Sequence, residues 1–477
     1  MVTLLFVDFT GMAARWFGWM AKIQFLPAVL ALNVGVIALL VVLTLIFGRV
    51  YCSVICPLGI MQDGFGWLGK KARRNRYSWS PAKNVLRYVM LALMVVLLVF
   101  GLGSIAGLIA PYSAYGRIAH SLLGPVWDGA NNLLASWAES SDSYLFYRVE
   151  TPYIQWIVFS IAVATLLILA VLAWRNGRTY CNTICPVGTV LGFLSRYSWL
   201  KPVIDTSKCN SCGLCARNCK SACINSKEHT IDYSRCVDCM DCLEVCRQKA
   251  ISYRHLPRKA AETQGESVDS SRRAFVVTGL ATAGAAAVKA AEKTVDGGLA
   301  VIEDKVEPRR HTKIVPPGAL SIRNLENHCT ACQLCISECP NGVLRPSGDA
   351  ESLMQPYSSY ENGYCRPECT RCSNVCPTGA IRPISRADKS SVQIGHAVWV
   401  KANCIPLTDG VECGNCARHC PVGAITMVPS EPGNAESRKI PAVNTERCIG
   451  CGACENLCPA RPFSAIYVEG HENHKTI

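Results

Sequence analysis

The chain has 477 residues, room for about three domains, with 29 cysteines, 50% hydrophobic residues and a formal net charge of +13. That charge takes the cysteines as neutral, so it overstates the positive charge of a chain whose cysteines serve as thiolates, and it does not mark a nucleic-acid partner. The cysteines fall as 4 before residue 205, 9 within 205–255 and 16 after 320. They stand in spaced groups of four, which excludes the framework of a small secreted disulfide protein.

Residues 1–9 are apolar over only about half of the ~20 residues that cross a bilayer as a helix, as in an interfacial segment or the tail of a longer helix. Uncharged apolar runs at 25–47, 88–110 and 153–174 are each long enough to span. Residues 1–204 are therefore expected to form an α-helical membrane bundle with three full spans. The loop 69–83 carries Lys70, Lys71, Arg73, Arg74, Arg76 and Lys83 and no acid, whereas 111–152 carries Asp128, Glu139, Asp142 and Glu150 against Arg117 and Arg148. Basic loops stay in the cytoplasm, so the first loop is expected inside and the second outside. Arg175 and Arg178, after the last run, agree.

An internal repeat follows two of these runs: GRVYCSVICPLG from Gly48 and GRTYCNTICPVG from Gly177. Each copy holds two cysteines at i and i+4, on one helical face, and ends at a helix-breaking proline, Pro57 or Pro186. Together the copies supply Cys52, Cys56, Cys181 and Cys185, as a metal or cluster site or as a thiol/disulfide pair that exchanges electrons. The plain alternative is a set of free thiols on a turn.

Residues 205–255 carry C-x2-C-x2-C-x3-C twice, from Cys209 and from Cys236. A 4Fe–4S cluster takes three thiolates from such a close run and a fourth from a distance, and in two-cluster ferredoxins the fourth cysteines cross over. One set is Cys209, Cys212, Cys215 and Cys246; the other is Cys236, Cys239, Cys242 and Cys219. Zinc ribbons seldom show the triple run. Lys220 and Arg247 replace the usual proline, and the additional Cys223 is an alternative to Cys219 as ligand.

Paired C-x3-C-P motifs after apolar runs, followed by a two-cluster block, resemble the NapH-type polyferredoxin family. The resemblance implies a membrane protein with four or more spans that takes electrons from quinol for a periplasmic reductase. NosR-like and copper-oxidase assembly proteins share the motif.

Residues 256–320 form a junction. Arg272 and Arg273 precede a mildly apolar, alanine-rich run, and 271–291 resembles a twin-arginine export signal; the alternative is a helical linker. Residues 308–317 then form a stiff linker.

Residues 321–477 hold four further groups: Cys329, Cys332, Cys335, Cys339; Cys365, Cys369, Cys372, Cys376; Cys404, Cys413, Cys416, Cys420; and Cys448, Cys451, Cys454, Cys458. Each ends in Cys-Pro, which helps to fix the turn presenting the last thiolate. The x3 spacing in the second group and x8 in the third, in that order, resemble the NapG/MauM-type periplasmic ferredoxins, which carry twin-arginine signals. Analogy with four-cluster subunits implies nested pairing, first group with fourth and second with third, with sequential pairing as the alternative.

No C-x-x-C-H and no G-x-G-x-x-G after a strand is present. Gly103 and Gly107 suggest helix packing, and His120 an interfacial position or a quinone contact. The expectation is an α-helical bundle joined to α+β ferredoxin-like domains, a NapH–NapG-like fusion in the bacterial inner membrane. It would hold six 4Fe–4S clusters, with a quinone as further cofactor, the central ferredoxin being cytoplasmic and the C-terminal one periplasmic. It would act as an electron-transfer subunit, quinol-dehydrogenase-like, with membrane lipid, the quinol pool and a periplasmic reductase as partners and no nucleic acid. The rivals are a metal-handling or assembly factor and a redox sensor.

Overall fold

A computed structural model describes residues 1–73, 77–142, 146–149, 154–255, 295–296, 300–301, 304–434 and 436–477. The export-like segment 271–291 lies outside the described residues, as do Arg74, Arg76 and Glu150.

The three apolar runs fold differently from one another. Only Trp156–Asn176 is a continuous helix of spanning length, 21 residues with mean hydropathy 2.7, or ~31 Å at ~1.5 Å per residue. The run 25–47 is broken. Phe25–Leu30 ends at a turn where Leu32 takes φ 52°, and Val34–Phe47 restarts with Asn33 Oδ1 accepting from the Val36 amide at 3.3 Å. The run 88–110 breaks at Gly101, φ 74°, between Asn84–Val99 and Gly103–Ile109. Three full spans are therefore corrected to one among the described residues, beside shorter apolar helices of 14 and 16 residues. Absence of charge measures apolarity, not helical continuity, and an asparagine cap or a left-handed glycine interrupts the helix without adding charge. These helices leave Leu39, Val42, Leu93, Val95, Val96, Leu167, Ile168 and Val171 exposed.

The central unit begins with Leu200–Ile204, which pairs antiparallel with Ile251–His255 from Leu200↔His255 to Ile204↔Ile251. A second ladder joins Ile224–Asn225 to Thr230–Ile231. In the C-terminal unit the long ladder joins Val392–Trp399 to Ile466–Thr476. Short hairpins join Leu344–Pro346 to Pro356–Ser358 and Ile425–Pro429 to Lys439–Val443. Helical turns between these strands carry the cysteines, an α+β ferredoxin-type construction.

The two units sit at opposite ends of the Trp156–Asn176 helix. At its C-terminal end the Arg178 amide donates to Lys220 O at 2.8 Å, the Trp199 amide to Leu45 O at 2.7 Å and the Tyr253 hydroxyl to Phe47 O at 2.9 Å, all tying down the central unit. At its N-terminal end Gly348 of the C-terminal unit lies against Gln155. There too a Cβ on Gly103 would lie 2.7 Å from the carbonyls of Glu326 and Cys329. Gly107 faces Thr330 in the same way, so this small-residue pair packs, as expected, against a helix, Ile322–His328, and also against the cysteine loop that follows it. The opening helix Leu4–Val7 is buried against Leu334–Ser337 and Ala119–Leu123.

Candidate functional site

Four of the C-x2-C-x2-C runs share one backbone pattern. The residues just before and just after the middle cysteine are left-handed: Ser211 and Gly213, Asp238 and Met240, Ala331 and Gln333, Gly450 and Gly452. Five of these eight are not the conformation's easy occupants, since a side chain in this region costs about 1–2 kcal/mol; Gly213, Gly450 and Gly452 escape that cost, and Asp238 is favoured there among the rest. Four recurrences mark a loop held to a purpose. After five of the six last cysteines the residue three positions on is also left-handed: Ala222, Lys249, Gly342, Gly379 and Gly423. Backbone amides then turn back on the sulfurs. Ala250 N donates to Cys246 Sγ at 3.3 Å, Ile381 N to Cys376 Sγ at 3.4 Å, Ala424 N to Cys420 Sγ at 3.2 Å and Ala465 N to Cys458 Sγ at 3.3 Å. Such donors favour thiolate and offset the charge of an anionic cluster.

The cysteines converge in clusters, and in five of them the last cysteine of a neighbouring group joins the local run. In the central unit Cys236, Cys239 and Cys242 line one cavity together with Cys219 and Cys223. Cys209, Cys212 and Cys215 lie within electrostatic reach of one another, and the helical turn of Cys215 packs against that of Cys242. In the C-terminal unit Cys404, Cys413 and Cys416 line a cavity with Cys458, and Cys448, Cys451 and Cys454 line one with Cys420. Cys376 acts electrostatically on Cys329, Cys332 and Cys335, and Cys339 on Cys365 and Cys372, beside Cys369. Nested pairing is therefore corrected: the first group exchanges its last cysteine with the second, and the third with the fourth. The chain closes each double loop with its nearest neighbour in sequence.

The C-x3-C-P cysteines do come together. Cys52, Cys56, Cys181 and Cys185 are all buried in one core, and burial together with the neighbouring thiols pushes Cys56 and Cys185 well up. Gly48 and Gly177, at φ 79° and 65°, turn the chain out of each preceding helix, and the arginines that follow them cross over. Arg49 donates to Cys181 O at 3.2 Å and to Cys52 Sγ at 3.6 Å. Arg178 donates to Cys52 O and grips Asp63 at 2.5 and 2.6 Å. Gln62 Nε2 donates to Cys181 Sγ at 3.2 Å. The repeat displayed both arginines, but their exchange between copies is a tertiary fact that the spacing alone does not carry.

A cavity of about 570 Å³ lies where the helical half meets the C-terminal unit, lined by Asp8, His120, Asp128, Tyr147, Glu338, Cys339 and Arg371 among others. His120 shares a 2.8 Å hydrogen bond with Ser337 Oγ. Burial pulls His120 down to about 4 and pushes Asp128 up to about 6. The sequence offered no signal for this cavity beyond His120 itself.

Comparison with known proteins places these features. A family described as "4Fe-4S binding domain" matches residues 28–76 and 156–206, and one described as "4Fe-4S dicluster domain" matches 411–461. The methylamine utilization ferredoxin-type protein MauM of Methylobacillus flagellatus is 31% identical over 169 residues, 34% of this chain and 70% of that protein. The ferredoxin-type protein NapF of Escherichia coli is 30% identical over 159 residues, 33% of this chain and 87% of that protein. The putative electron transport protein YccM of Escherichia coli is 24% identical over 260 residues, 54% of this chain. The chain spans 64% of YccM, and 38% and 48% of two other relatives.

Proposed function

This chain belongs to the ferredoxin-type iron–sulfur electron-transport proteins, and on that premise we propose that it carries electrons across a bacterial inner membrane, from quinol or a cytoplasmic donor to a periplasmic reductase. The observation that carries the reading is the placement of two ferredoxin-type units at opposite ends of one 21-residue apolar helix. The exposed apolar side chains of the neighbouring helices support a lipid environment. On this reading the chain is a NapH–NapG-like fusion, its central unit cytoplasmic beside the basic loop and its C-terminal unit external.

When bound, 4Fe–4S clusters supply one-electron transfer at potentials set by their surroundings. The protein's part is to hold and tune them. Six sets of four cysteines fix six positions, and the left-handed loops aim amides at the sulfurs. Arg117 is fully buried with no carboxylate in ion-pair distance among the described residues; burial pulls it down to about 10, and it lies within electrostatic reach of Cys332. A buried cation there favours the more negative, reduced state of a neighbouring site. Oxidising a quinol yields two electrons and two protons. The 570 Å³ cavity would supply room for the headgroup, Asp128 and Glu338 as acceptors of one proton each, and Cys339 as the adjoining cluster ligand that would take the electrons one at a time.

Anaerobically purified protein is expected to hold about 24 iron atoms in these six sets, and quinol to reduce them steadily. Iron near 8, stoichiometric zinc, or clusters that no quinol or low-potential donor reduces would contradict the proposal.

A further inference from the structure

The four C-x3-C-P thiols lie outside the six ferredoxin sets, and their surroundings ask for a negative charge. Arg49 is fully buried, and its guanidinium has no carboxylate in ion-pair distance among the described residues. Its partners are Asn182 Oδ1 at 2.9 Å, Ser234 O at 3.0 Å, Cys181 O and the Cys52 sulfur. A buried unpaired cation is strongly unfavourable unless an anion faces it. Arg178, equally buried, shares its charge between Asp63 and the backbone of Cys52. Two cations thus enclose four sulfurs from opposite repeats. Cβ atoms at Gly59 and Gly188 would lie 2.8 Å from Arg178 and Arg49, so both glycines keep space for the crossed guanidinium groups.

The position is as informative as the charge. On one side the Arg49 amide donates to Asp238 at 2.8 Å, in the loop between Cys236 and Cys239 of the central unit. On the other, Tyr180 lies within electrostatic reach of Cys185, Cys181 and Arg117, and its hydroxyl donates to Ile109 O at 2.7 Å. Arg117 in turn reaches Cys332 of the C-terminal unit. Buried and half-buried groups thus lie between the second central set, the four thiols and the first C-terminal set, whose Cys332 packs against Gly116 beside Arg117. The matched segments 28–76 and 156–206 each contain only two of these cysteines, so neither completes a four-thiolate site alone.

We propose that Cys52, Cys56, Cys181 and Cys185 jointly ligate a seventh iron–sulfur cluster, the relay between the central and C-terminal ferredoxin units. The proposal rests on the electron-transfer reading above. Four thiolates and an iron–sulfur core are anionic, which answers the charge of Arg49, whereas Arg178 is already paired with Asp63. In the relay one electron leaves a reduced site in the central unit, occupies the four-thiol site and passes to the Cys329 set; no bond forms or breaks and no proton moves.

The test compares the full-length chain with its Cys56→Ser/Cys185→Ser variant, purified anaerobically, by iron and acid-labile sulfide content and by EPR of the reduced protein. The wild type should hold about 28 iron atoms with a 4Fe–4S relay or about 26 with a 2Fe–2S relay. The variant should lose about 4 or 2 of them, together with one EPR component, and keep the rest. Equal iron and equal spectra in the two proteins would overturn the relay while leaving six clusters standing; iron near 8 in both would overturn the six-cluster reading itself. If the variant does not accumulate, native mass spectrometry of the wild type decides. Seven clusters support the site, whereas six clusters, or six with a mass deficit that marks a disulfide among the four cysteines, refute it.

Discussion

Cys219 and Cys223 lie with their sulfurs 3.5 Å apart, both buried in the cavity of Cys236, Cys239 and Cys242. The backbone separates them. Cys219 is followed three residues on by left-handed Ala222, matching Cys246 with Lys249 and Cys420 with Gly423, a turn that favours Cys219 over Cys223 as the ligand. Cys219→Ser should cost one cluster, about 4 iron atoms, whereas Cys223→Ser should keep full iron; the reverse pattern in the iron assay would exchange their roles. Arg117 offers a second test. Arg117→Met removes a cation beside Cys332, and for a charge ~6 Å away at an effective dielectric of ~20 the midpoint potential of that set should fall on the order of 100 mV. An unchanged redox titration would deny the coupling. Asp128 gives a pH signature. Its folded-state pKa, about 6, is raised by burial, so its contribution to stability is complete below its unfolded value near 4 and is lost as pH rises through 6. Asp8, His120, Glu338 and Arg371 face the same cavity. Asp128→Asn should flatten the pH 4–6 part of the unfolding midpoint and slow quinol oxidation; an unchanged pH slope would remove Asp128 from that role.

At the scale of elements, two helix ends act as seats. Gly107 lies against Thr330, and Gly116 against Cys332, which brings the first C-terminal cysteine loop directly onto the helical half. Gly107→Leu should unseat that loop at a cost of about 1–3 kcal/mol and sensitise the C-terminal unit to protease; a variant as resistant as wild type would show the seat to be dispensable. These contacts also show where the sequence was legible. The cysteine spacing displayed the six local groups, because most members of each lie in one short stretch of chain. The exchange of last cysteines between neighbouring groups, and the crossing of Arg49 and Arg178 between repeats, depend on tertiary approach. Helix breaks at Leu32 and Gly101 escaped because hydropathy does not register a left-handed φ. The cavity escaped for a related reason: Asp8, Asp128 and Glu338 are brought together from three distant parts of the chain.

For the whole molecule, the sites form an order: the Cys209 set, the Cys236 set, the four C-x3-C-P thiols, the Cys329 set and the Cys365 set. From Cys365 the backbone amide donates to Cys451 O at 2.9 Å, and the Cys448 set then leads to the Cys404 set. Such an order would let electrons from a cytoplasmic donor travel its length, and electrons from quinol join it at the Cys365 set, beside Cys339. The most direct measurement places the protein in sealed vesicles loaded with dithionite, with ferricyanide outside, and follows ferricyanide bleaching. Electron transfer through the chain should give bleaching well above that of protein-free vesicles, and the Cys56→Ser/Cys185→Ser variant should lose it. Bleaching no faster than in empty vesicles, by protein shown to be inserted and to hold its clusters, would contradict electron transfer across the membrane by this chain.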